Sequence, residues 1–115
     1  MKKPIRINTY NFECCVLQEK LPVILVFGAI WESKSAALFA EMEYLIKEHD
    51  GEFVFGKVEC DYNQIIYHDY QIGDIPCMVI FENGKIIKKV IGKDFKTTKS
   101  VKSLIDWYYG IYPYY

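Results

Sequence analysis

The segment "DIPCMVIFENGKIIKKVIG", Asp74 to Gly92, consists of two apolar runs joined by Asn83-Gly84. Asn-Gly is the dipeptide that best tolerates the two positive φ angles of a type I′ turn, so the pattern predicts an antiparallel hairpin. Its second arm carries Lys85, Lys88 and Lys89. Lysines of this kind discourage further pairing at an exposed sheet edge. The hairpin therefore supplies an antiparallel pair and a sheet edge.

Upstream, strands and helices alternate. "PIRINTY" is β-branched and alternating, which predicts a short first strand. "NFECCVLQE" places Phe12, Val16 and Cys15 on one helical face. "PVILVFGAI" is a continuous apolar run, as suits a central strand covered on both faces. In "SKSAALFAEMEYLIKEHDG", Ala36, Phe39, Met42, Leu45 and Ile46 recur at helical spacing, and Gly51 marks the end. "EFVFGKVEC" sets Phe53, Phe55 and Lys57 against Val54, Gly56 and Val58, a strand pattern. "DYNQIIYHDYQIG" predicts a short helix with Ile65, Ile66 and Tyr70 inward. "TTKSVKSLIDWYY" predicts a last helix with a Thr cap, a stripe of Val101, Leu104, Ile105 and Tyr108, and a stop at Gly110. The order β-α-β-α-β-α-β-β-α predicts an α/β domain with a central mixed sheet of about five strands and helices on both faces. One domain over residues 1–109 is expected, followed by a short aromatic tail, 110–115. That tail, "GIYPYY", packs on the body, extends it or mediates association.

Composition excludes several classes. The 115 residues are 51% apolar and 17% aromatic, too apolar for disorder. No apolar run reaches the roughly 18 residues of a membrane span. The N-terminus "MKKPIRINTY" has no apolar segment behind its lysines, so no secretory signal is expected. Net charge is −1, which gives no general drive toward nucleic acid. The charge is uneven: Lys85, 88, 89, 93, 96, 99 and 102 face one acid, Asp94, in the same stretch. This strip is a solvated edge and helix face, or a docking surface for an acidic partner.

Four cysteines occur, Cys14, Cys15, Cys60 and Cys77, with no Cys-x-x-Cys pair. A vicinal Cys14-Cys15 disulfide would be strained, and reduced thiols in a cytoplasmic setting fit better. His49 and His68 lack a Cys or His at i+3 or i+4, so no metal site is expected. No Gly-rich phosphate loop is present, and no cofactor is expected. Glu32 with Glu59 or Asp61 has no spacing that supports a specific hydrolysis.

Three features then align: an apolar strand leading into Trp31 and a four-residue segment before a helix, Ile75-Pro76 just ahead of a strand, and Gly92 closing the hairpin. With the element order, the chain resembles the thioredoxin family from about Ile5 to Tyr109. The resemblance implies the thioredoxin fold and a cis proline at Pro76. It also implies a groove in which the residue before that proline pairs, backbone to backbone, with an extended segment of a protein partner. Ile30, Trp31, Ile75, Pro76 and Gly92 would line it.

The departures bear on activity. The family follows its Trp with Cys-Gly-Pro-Cys, whereas this chain has Glu32, Ser33, Lys34 and Ser35. The family's buried aspartate corresponds to Val26, and a usually aromatic position to Gly28. Disulfide exchange needs an attacking thiolate and a resolving thiol. Ser35 is neither acidic nor soft enough to resolve, and Glu32 favours the helix dipole without catalysis. The expectation is a redox-inactive binding module. The alternative is a single-cysteine thiol oxidoreductase built on Cys77, which follows Pro76 beside the lost redox positions. Cys77 is otherwise a small buried strand residue.

Overall fold

The computed structural model describes residues 3–91 and 100–111. Its sheet has five strands: β1 (Ile5–Arg6), β2 (Val23–Gly28), β3 (Val54–Glu59), β4 (Cys77–Glu82) and β5 (Lys85–Val90), in the order β1-β3-β2-β4-β5. β1, β3 and β2 are parallel, while β4 and β5 run antiparallel, so the sheet is mixed. β2 is its centre. All six of its residues are buried, as the uninterrupted apolar run demands.

The helices are α1 (Ser33–Glu48), α2 (Gln64–Asp69) and α3 (Val101–Ile111). On one face, Leu38, Phe39, Met42 and Leu45 of α1 and Leu104, Ile105 and Tyr108 of α3 cover Ile24, Val26, Phe55, Met78 and Ile80. On the other, Phe12, Val16, Ile66 and Tyr67 cover Leu25, Phe27, Val58, Val79 and Phe81. Alternate strand residues thus feed two separate cores. At the hairpin, Asn83 and Gly84 both have positive φ, 54° and 78°, as a type I′ turn requires. β5 is the sheet edge on that side.

Three local expectations change. The segment expected to form the first helix is a single π turn, Glu13–Leu17, closed by the Gln18 amide donating to Glu13 O. Ile65 points out, 65% exposed, and Tyr67 takes the inward position beside Ile66. Their spacing allows either choice, and the hydroxyl of Tyr67 finds buried carbonyls that Ile65 could not use. Gly110 does not stop α3, which continues to Ile111. The expected Thr cap lies outside the described residues. At the start of α3, Ser100 Oγ accepts from the Ser103 amide. In addition, Glu41 reaches across from α1 to accept from the amides of Val101 (2.7 Å) and Lys102 (3.1 Å). A carboxylate on these orphan donors ties the two helices together.

Candidate functional site

Parallel strands β2 and β3 and antiparallel β4 bring three chain segments to one end of the sheet. Phe27 lies opposite Cys77, and Gly28 opposite Glu59. The residues that follow Gly28, those that follow Glu59 and those that precede Cys77 therefore share this end. It holds Ile30 and Trp31, then Cys60 and Asp61, then Ile75 and Pro76.

Ile30 and Trp31 are 64% and 67% exposed, so neither side chain is core filling. The Trp31 indole N–H donates to Asp61 Oδ2 at 2.9 Å, which holds the ring against the segment after β3. Asp61 in turn accepts from the Cys60 thiol. The Ile75–Pro76 peptide bond is cis. Pro76 is buried, and Ile75 is half-buried against the second core cluster. Gly92 lies outside the described residues, as do Lys93, Lys96 and Lys99.

Glu32 and Ser35 form a closed unit. Glu32 is the N-cap of α1, accepting from the amides of Lys34 (3.0 Å) and Ser35 (2.8 Å) and from Ser35 Oγ (2.8 Å). The Lys34 amide, then the Ser35 hydroxyl and amide, hold its carboxyl below the ordinary carboxylate range. A negative cap at a helix N-terminus is electrostatically favourable. Ser35 is fully buried, turned toward the space above Gly28. Both side chains are thus committed to each other and to the helix start.

Cys77 is fully buried, and burial pushes its thiol up to about 11. Lys89 acts in the opposite direction but more weakly. Cys60 follows β3, and burial together with Asp61 raises its thiol as well. β2 lies between the two cysteines, a gap of about 10 Å across two strand spacings, beyond disulfide reach.

Three residues that organise this end carried no motif. Asp61 holds Trp31. Tyr67 is buried below, and its hydroxyl is shared between Val58 O (2.6 Å) and Gly28 O (3.2 Å), near the ends of the neighbouring strands β3 and β2. Burial, and then the nearby Cys60, keep that phenol protonated. Lys89 donates to the carbonyls of Tyr70 (3.2 Å) and Gln71 (3.3 Å), closing the C-terminus of α2 ahead of the Pro76 loop. Sequence position alone marks Asp61, two residues past the end of the strand beside β2. Lys89 was expected as an edge guard, and its reach to the loop needs the fold.

The lysine strip is partly committed within the chain. Lys88 sits over the Trp107 ring at 5.1 Å, Lys89 holds the α2 terminus, and Lys102 pairs with Asp106 at 3.4 Å. Among the described residues, no group of three or more His, Cys, Asp or Glu side chains converges as a metal site. No helix there is long and apolar enough to cross a membrane.

Residues 3–106 match the family model described as Thioredoxin. The chain is 33% identical over 98 residues to Thioredoxin M5, chloroplastic, of Oryza sativa subsp. japonica, covering 85% of this chain and 56% of that protein. It is 26% identical over 97 residues to a thioredoxin of Haemophilus influenzae, covering 84% of this chain and 91% of that protein. It is also 25% identical over 88 residues to a bifunctional thioredoxin reductase/thioredoxin of Mycobacterium leprae, covering 76% of this chain and 19% of that protein.

Proposed function

We propose that this chain, which belongs to the thioredoxin family, is a redox-inactive member that holds an extended segment of a protein partner. Ile30, Trp31, Ile75 and Pro76 would form the contact surface, with the backbone of Ile75 pairing to the partner. The observation that carries the reading is the Glu32–Ser35 unit. The two positions that would need thiols hold a carboxylate and a hydroxyl bonded to each other at 2.8 Å. Neither forms a sulfur–sulfur bond, and thiol–disulfide exchange has no other route at the helix start. Beside them, Ile30 and Trp31 remain large, apolar and exposed. An anchored aromatic among apolar neighbours is the usual energetic centre of a protein contact.

The competing reading is a thiol oxidoreductase using Cys77 alone. Its thiol is fully buried and pushed up to about 11, so little thiolate exists at neutral pH. Both facts weigh against it as a nucleophile.

Two measurements test the proposal. In insulin reduction with dithiothreitol, the protein is expected to give no acceleration over dithiothreitol alone. Turnover at thioredoxin-like rates would overturn the redox-inactive reading. In a pull-down, Trp31→Ala is expected to lose the partners captured by the wild type, while an exposed variant further along α1, Glu43→Ala, keeps them. Equal capture by Trp31→Ala and wild type would overturn the groove.

A further inference from the structure

The N-terminal turn carries two thiols that play no part in the site above. Cys14 and Cys15 are adjacent in sequence, and their Sγ atoms lie 3.7 Å apart. In an ordinary α-helix, successive side chains diverge by about 100°. Here the backbone is a single π turn, a form often found where a helix serves a local function.

The turn is held from its start. Asn8 and Asn11 cap each other: the Asn8 amide donates to Asn11 Oδ1 (2.8 Å), and the Asn11 amide to Asn8 Oδ1 (3.0 Å). Asn11 Nδ2 also donates to Arg6 O, linking the turn to β1. Cys14 Sγ donates to Asn11 O at 3.4 Å. At the other end, Leu17 O lies against Gly84 of the hairpin, with 3.1 Å available to any Cβ placed there. Cys14 is exposed, and Cys15 is half-buried against the second core. The pair is thus both positioned and reachable.

We propose that Cys14 and Cys15 form a chelating dithiol that binds a soft, thiophilic divalent metal ion. A tetrahedral centre bonded to sulfur at about 2.3 Å separates two sulfurs by about 3.8 Å. The observed 3.7 Å is close to that edge. On binding, each sulfur loses its proton as its metal bond forms, so two protons leave per ion and no electrons are transferred. Because binding displaces these protons, it competes with them and strengthens as pH rises. Since no third His, Cys, Asp or Glu converges among the described residues, the remaining positions fall to water or a small thiol. That makes the ion exchangeable.

The test uses the full reduced chain without a histidine tag, titrated with cadmium ion at pH 7. Binding is read from sulfur-to-metal charge-transfer absorption and from proton release to an indicator dye. One ion per chain and about two protons per ion are expected. Cys14→Ser and Cys15→Ser should each abolish saturable one-to-one binding, while Cys60→Ser and Cys77→Ser leave it intact. Unchanged binding in Cys14→Ser or Cys15→Ser, loss in Cys60→Ser or Cys77→Ser, or one ion shared between two chains would each overturn the proposal. So would a wild type with no saturable binding.

Discussion

Gly28 and Ser35 interlock. A methyl group built on Gly28 would lie 2.4 Å from Ser35 Oγ and 2.6 Å from Ser35 Cβ. The absent side chain at the end of β2 is what lets the first turn of α1 bury a serine. Gly28→Ala is therefore expected to lose about 1–3 kcal/mol by overpacking. Ser35→Ala should not relieve the clash, since its Cβ remains. Ser35→Gly should, so Gly28→Ala/Ser35→Gly should be more stable than the sum of the two single losses, with a coupling of about 1 kcal/mol or more. Urea unfolding of the four proteins checks this. Additive losses would mean that the strand end moves to accept the methyl.

Glu32 supplies a pH dependence with a definite sign. Its carboxyl titrates below the ordinary value in the folded chain, through the Lys34 amide first and Ser35 second. A depressed folded pKa means that the unfolded state binds the proton more readily. The contribution is therefore fully present above about pH 4.5, the ordinary value, and is lost as pH falls through the lower folded value. Glu32→Gln should flatten that part of the acid limb. Melting temperatures of wild type and variant between pH 2 and pH 7 should converge as the pH drops. Parallel curves would mean that the cap is already broken in the folded protein.

The hairpin, the buried central strand and the two-sided sheet were legible in the sequence because each rests on a local pattern. Asn83-Gly84 specifies its own turn, and "PVILVFG" has no polar residue to place outward. Val54 and Phe55 alternate between two cores as a strand must. The π turn was not legible, because Phe12, Cys15 and Val16 satisfy one turn of any helix, and only the docking of Leu17 against Gly84 fixes how far it runs. Tyr67 was missed for a similar reason: a short helix with Ile65, Ile66 and Tyr67 in sequence has two workable inward faces. At the site, Glu32 and Ser35 were found by their position after Trp31. Their mutual hydrogen bond, and the grip of Asp61 on Trp31, are tertiary facts with no pattern of their own.

Tyr67 joins the ends of β2 and β3 through one hydroxyl. Tyr67→Phe keeps the ring contact with Phe27 at 5.2 Å but leaves Val58 O and Gly28 O without that donor. A loss of about 1–2 kcal/mol is expected for buried acceptors stranded in this way. Hydrogen exchange should locate the change at the ends of β2 and β3 rather than at the hairpin. A uniform decrease across the sheet would assign the effect to packing instead.

Lys89 connects the far strand to the loop that carries Pro76, and it bears on Cys77 at the same time. Its ammonium donates to Tyr70 O and Gln71 O, where Gln71 sits at φ 55°. A cation on the last carbonyls of a helix is favourable, and the half-exposed setting limits the effect to about 1 kcal/mol. Lys89→Met should therefore destabilise by about that amount and speed amide exchange over residues 70–75. The same substitution removes the charge that lowers the Cys77 thiol, so the thiol should move further above about 11. With Cys14, Cys15 and Cys60 replaced by serine, the alkylation rate of Cys77 against pH reads this directly. In the Lys89→Met background the rising limb should shift to higher pH, and in Lys89→Arg it should stay near that of the parent. A shift to lower pH would show that burial around Cys77 depends on the Lys89 contact more than its charge does.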